Sequence, residues 1–172
     1  MIVALGILAV ADLVVGVSND AVNFLNSAIG SKAISFRSMM IVASLGIFIG
    51  AVFSSGLMEV ARKGIFVPGE FYFSEIMIIF MAVMITDILL LDFFNTLGMP
   101  TSTTVSIVFE LLGASVAMSF IKIASSGGDY MDIYNYINTS KATEIIMGIP
   151  LSVVIAFSIG ALVQYLSRIL PL

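Results

Sequence analysis

Five apolar runs, at about 2–30, 38–60, 75–97, 101–121 and 145–166, occupy most of this chain and decide its solvent. Each is close to the ~20 residues a helix needs to cross the ~30 Å hydrocarbon core of a bilayer. Within that core a helix satisfies its own backbone N–H and C=O groups, which short-range apolar sequence alone cannot arrange in any open structure. Composition points the same way. Hydrophobic residues make up 60% of the 172 residues and charged ones 10%, against ~25% charged in a soluble domain. The mean hydropathy is +1.16. The expectation is an all-α polytopic membrane protein with about five membrane helices, a single transmembrane domain over 1–172 and a polar loop at 122–143.

Several chemistries are excluded at once. The formal charge of −4, with no basic patch, argues against nucleic acid as a partner. There is no Cys and no His, which removes disulfides, thiolate and imidazole metal sites, haem ligation and imidazole proton relays. No cofactor is expected. The first run lacks a basic leader and an A-x-A-like cleavage site, so it reads as a retained span rather than a signal peptide. Lys and Arg are spread thinly over every link, and the positive-inside rule assigns no orientation. The expected setting is the lipid bilayer, as a multi-pass protein of the plasma (inner) membrane.

Five carboxylates interrupt the apolar runs: Asp12, Asp20, Asp87, Asp92 and Glu110. At about 2.5–3.5 kcal/mol each, full exposure to lipid would cost on the order of 15 kcal/mol. They must be paired, protonated, near the interface or lining a hydrated site. On a helical wheel Asp12, Gly16, Asn19, Asp20, Asn23, Asn26, Ser27 and Gly30 fall on one stripe of the first run. A packing seam accounts for its small residues. It accounts less well for a carboxylate flanked by two amides, Asn19-Asp20-x-x-Asn23. The first run is also expected to break near Gly16–Asp20.

A second break is expected at Asn95-Thr96-Leu97-Gly98-Met99-Pro100-Thr101-Ser102-Thr103-Thr104. Gly98 permits an unusual turn, and Pro100 can open a helix but not continue one cleanly. A fresh helix start at membrane depth offers free N–H groups to an anion, and Ser102, Thr103 and Thr104 add hydroxyl donors. A kinked span with hydroxyls capping its freed backbone is the plainer reading. Oxygens of Asn19, Asp20 and Asn23 suit a hard monovalent cation such as Na⁺. The helix start suits an oxyanion, and no Lys or Arg stands in either break. A co-bound Na⁺ or H⁺ resolves the repulsion between carboxylate and anion, which makes co-transport the economical mechanism. Asp12, Asn26, Asp92, Asn95 and Glu110 are candidates for a cavity or relay role. Glu59, Arg62, Lys63, Glu70 and Glu75 read as interfacial charges, and the last span bends or starts near Pro150.

The stretch Gly16-Val17-Ser18-Asn19-Asp20-Ala21-Val22-Asn23 through Ile29-Gly30-Ser31-Lys32-Ala33 resembles the G-x-N-D-x-A-N…G-S signature of the inorganic phosphate transporter (PiT) family. Gly98-Met99-Pro100-Thr101-Ser102-Thr103-Thr104 resembles its L-P-x-S-T-T motif, and the spacing fits one family repeat. The resemblance implies symport of phosphate with Na⁺ or H⁺. It places Asn19, Asp20 and Asn23 on the cation and phosphate site, and Asp20, Ser102, Thr103 and Thr104 around phosphate. Four positions depart from the pattern: Asn26-Ser27 where many members have Gly-Thr, Val105 where a His often follows, and Glu110 where a small residue is common. Members carry two inverted repeats, whereas one of each motif occurs here. The chain is therefore expected to be a fragment or a half-transporter, completed by a second inverted repeat or a second copy. Three other readings stand beside this one. A sulfate-like oxyanion is an alternative substrate, and a non-transporting membrane subunit an alternative role. An intramembrane aspartyl protease lacks its Gly-x-Gly-Asp context, so no enzyme is expected.

Overall fold

A computed structural model describes residues 1–32, 34–54, 64–99 and 101–169. Glu59, Arg62, Lys63, the last part of the expected 38–60 span, Ala33 and Pro100 lie outside the described residues. The helices are α1 (Ile2–Ser31), α2 (Phe36–Val52), α3 (Phe73–Thr96), α4 (Thr103–Ser126), the single turn α5 (Ile133–Tyr136) and α6 (Thr139–Ile169). Short 3-10 turns lie at Pro68–Glu70 and Tyr130–Asp132. Helices α1, α3, α4 and α6 are long and apolar enough to span a membrane, and α2 is a shorter apolar helix of 17 residues. The molecule is an all-α polytopic membrane protein. Among the described residues the sole β pairing is an isolated bridge between Phe66 and Ile137.

The expected break near Gly16–Asp20 is absent, because α1 runs unbroken for 30 residues. Two local facts and one long-range fact explain this. The segment contains no proline, and one Gly costs a helix only ~1 kcal/mol relative to Ala. The Ser18 hydroxyl bonds back to the Val14 carbonyl at 2.7 Å. Asn19, Asp20 and Asn23 find partners on other segments, so the helix need not open to satisfy them. Helix α6 likewise runs through Pro150 rather than starting there. The polar stretch 122–143 is only partly loop: α4 continues to Ser126, is capped by Gly127 at φ 68°, and α6 begins at Thr139.

The second break forms as expected. Helix α3 ends at Thr96, and Gly98 adopts φ 69°, a left-handed conformation that glycine reaches without strain. The Met99 N–H closes the turn on the Phe94 carbonyl at 3.0 Å. Helix α4 then opens with the Ser102 hydroxyl accepting the Val105 N–H at 3.4 Å.

The chain divides into two compact units, residues 1–138 and 139–172, the second consisting of α6. In the first unit α1, α3 and α4 pack together. Asn19 meets Asn95 and Asp20 meets Thr103, so α1 and α3 run parallel and α4 returns antiparallel. Ile79, Leu91, Leu111 and Ile123 are buried between them. Ser115 and Ser119 are also fully buried, and each bonds to the carbonyl four residues back, at 2.6 and 2.7 Å. Small side chains that satisfy themselves in this way let membrane helices approach closely.

At the end away from the α3–α4 turn, Lys122 clamps the two helices. Its ammonium bonds Glu75 at 2.9 Å and the Glu70 carbonyl at 2.7 Å, and it lies 4.4 Å from the centre of the Tyr72 ring. Glu75 in turn accepts the Tyr72 N–H at 2.7 Å, capping α3. A partly exposed ion pair contributes modestly, so Lys122→Met is expected to cost about 0.5–1 kcal/mol. Faster amide exchange confined to the first turn of α3 is the measurement that checks it.

Candidate functional site

The α3–α4 turn ends against the middle of α1, with eight residues of α1 extending past Asn23, about 12 Å of helix. The start of α4 therefore lies at a depth α1 passes through, rather than at its end. Its first N–H groups have no acceptor within the helix, and they carry the positive end of the helix dipole.

Both Asp20 carboxylate oxygens lie 3.2 Å from the Thr103 hydroxyl, which bridges α1 to the first residue of α4. The Asn23 amide donates to the Thr101 carbonyl at 3.0 Å and approaches the Asn19 carbonyl oxygen at 3.5 Å. A cavity of about 410 Å³ opens here, lined by Asp20, Asn23, Phe24 and the run Thr101–Thr104. Among the described residues Asp20 is the one charged group on that lining. It also borders a mainly apolar cavity of about 450 Å³ on the α2 side.

The two motifs singled out in the sequence thus meet in space. Asp20, Asn23, Ser102, Thr103 and Thr104 share one cavity wall. Asn19 stands behind it, fully buried, donating its amide to the Asn95 side-chain oxygen at 2.8 Å. Asn95 therefore belongs to the support of the site. Gly16 faces Leu91 of α3 and Thr103 of α4, where an added Cβ would come within 3.9 Å of each. Farther along the stripe Asn26 is exposed and outside the cavity, as is Asp92 on α3. The part of the stripe level with the α3–α4 turn, Asp20 and Asn23, is where α1 meets the second motif.

Asp12 and Glu110 lie apart from this cavity and close to Asp87, a residue that sequence reasoning left unassigned. Asp87 is 2% exposed. Its signal was a spacing: Asp12 precedes Asn19 by seven residues, Asp87 precedes Asn95 by eight, and Glu110 follows Thr103 by seven. Only the parallel pairing of α1 with α3 turns those spacings into one layer.

Fold and site together define an integral, multi-pass helical membrane protein with a polar cavity inside its helix packing. A model of the phosphate transporter family matches residues 16–172, and the chain belongs to that family. A protein of Thermococcus kodakarensis named "Putative phosphate permease" is 27% identical over 151 residues, covering 87% of this chain and 33% of its own length. A permease of the same designation from Pyrococcus furiosus is 31% identical over 63% of this chain and 27% of itself. Another, from Mycobacterium bovis, is 28% identical over 86% of this chain and 26% of itself. The chain thus spans a third or less of the length of these relatives. No solved structure matches it.

Proposed function

We propose that the protein carries inorganic phosphate across the plasma membrane by symport with Na⁺ or H⁺, as a transporter rather than an enzyme, and that this chain supplies one repeat of it. The observation that carries the reading is the Asp20 carboxylate held against the hydroxyl-rich start of α4, on the wall of a polar cavity. Hydroxyls and free amides at a helix start are anion donors. Ser102, Thr103 and Thr104 then take phosphate oxygens. Among the described residues no Lys or Arg lines the cavity, so a bare Asp20 would repel the substrate. A cation held by Asp20 and Asn23, backed by Asn19, neutralises that carboxylate and makes one site for both ions. Only part of such a cavity is closed by this chain. A second inverted repeat, or a second copy set antiparallel, supplies the facing wall.

Uptake of labelled phosphate by the protein in liposomes tests this. Uptake driven by an imposed Na⁺ or H⁺ gradient is expected, with arsenate competing strongly and sulfate weakly. Equal competition by sulfate or molybdate would move the reading to a general oxyanion carrier. No uptake in any gradient would leave a membrane subunit without transport. Ser102→Ala is expected to raise the phosphate KM by about three- to tenfold, the worth of one hydroxyl donor, read from the concentration dependence of the initial rate.

A further inference from the structure

We infer that Asp12, Asp87 and Glu110 form a buried proton-binding site, one layer away from the phosphate cavity, which holds at least one proton shared between carboxyl groups. The three come from three different helices, α1, α3 and α4. Asp87 neighbours Asp12 on one side and Glu110 on the other. A carboxylate has no hydrogen to donate, so a hydrogen bond between two of these groups requires that one of them carry a proton.

A second observation points independently to a missing occupant. Asp87 is 2% exposed, and among the described residues its Oδ1 atom finds no donor, nor do Asp12 Oδ1 and Glu110 Oε2. The Ser106 hydroxyl, itself buried, is committed to Glu110 Oε1 at 2.8 Å. Orphaned buried acceptors of this kind call for an unseen proton, ion or water.

Among the described residues the surrounding charges leave the cluster uncompensated. On α1 the other acidic group is Asp20, eight residues on and about 12 Å along the helix. On α3 Asp92 is exposed, and Glu75 is paired with Lys122. Lys122 of α4 lies twelve residues beyond Glu110, about 18 Å away along the helix. Neighbouring carboxylates within a membrane helix interface cannot all stay ionised. Among the described residues no three acidic side chains converge in a metal-holding arrangement, so a proton, which needs only two oxygens, fits better than a metal ion.

As the coupling site of symport the cluster rests on the phosphate-transport reading, and the layered geometry then gives its logic. Asn19, Asn95 and Thr103, at the level of the phosphate cavity, each stand seven or eight residues from the carboxyl that the same helix gives to the proton layer. A helix displacement that opens one layer is transmitted to the other. The proton comes from water on one side of the membrane and leaves to water on the other, with no change of oxidation state.

Infrared spectroscopy of the full protein in lipid tests the site itself. At neutral pH a protonated-carboxyl C=O band that shifts in D₂O is expected, diminished in Asp87→Asn and in Asp12→Asn or Glu110→Gln, and unchanged in Glu144→Gln. Three variants guard against one that fails to fold, and neutral isosteres relieve repulsion rather than add it. Absence of the band, or a band indifferent to all three substitutions, overturns the proposal. A band abolished by adding Na⁺ would also overturn it, assigning the cluster to sodium. The coupling role has its own readout. Uptake driven by an acid-outside gradient should fall at least tenfold in Asp87→Asn, while exchange of labelled phosphate at equal pH is kept. Loss of phosphate binding by the unaltered protein, with the band intact, would sink the phosphate reading and leave the proton site standing.

Discussion

Asp20→Asn is expected to lower gradient-driven phosphate uptake into liposomes by about ten- to a hundredfold, the range of one charged hydrogen bond of about 1.5–3 kcal/mol. Among the described residues Asp20 is the only charge on the cavity wall, and both of its oxygens face the Thr103 hydroxyl. The amide replacement keeps shape and one acceptor, so packing of α1 against α4 should survive. What it removes is the negative charge that a co-transported cation neutralises. Loss of rate should therefore come with loss of dependence on the cation gradient. Thr103→Val separates positioning from charge: it deletes the hydroxyl between the helices but leaves the carboxylate, and roughly a tenfold drop with the cation dependence retained is expected. Uptake undiminished in Asp20→Asn would remove the carboxylate from the transport route.

The second large effect concerns the strut behind the cavity. Asn19 is fully buried and bonded to Asn95 at 2.8 Å, joining α1 to α3 at the level of the site. Asn19→Leu strands the Asn95 oxygen and forces a branched side chain into a filled position, with an expected cost of about 1–3 kcal/mol. Asn95→Leu strands the Asn19 amide at similar cost. Interhelical hydrogen bonds in membranes couple by about 0.6 kcal/mol on average and ~1.7 at most, so the double variant should recover about that much relative to the sum of the singles. Unfolding in mixed micelles gives the cycle, and strict additivity would show that the two amides do not depend on each other. Because Asn19 also carries Asp20 at the next position, uptake should fall in the single variants beyond what stability explains.

The membrane class, the positions of most spans and the two polar motifs were legible from composition and run length, since neither depends on how helices meet. The break at 97–102 was legible too, because glycine at a positive φ and a proline-bounded helix start are local chemistry. The break near Gly16 was not a local matter. Asn19-Asp20-x-x-Asn23 reads as helix-interrupting while its side chains lack partners, and as ordinary helix once Asn95, Thr101 and Thr103 supply them.

Asp87 shows the same limit from the other side. By periodicity it was one more acidic residue, separated from Asp92 by too wide an angle to share a face. Its meeting with Asp12 and Glu110 depends on α3 lying parallel to α1 with α4 returning between levels. The sequence by itself therefore determined the solvent, the helices and the residue chemistry, because hydropathy and backbone preference act over a few turns. Only the tertiary structure decided which stretch of the polar stripe faces the helix start, and that three carboxyls share one dry layer. Those are distances between residues more than twenty positions apart in the chain, and no local preference encodes them.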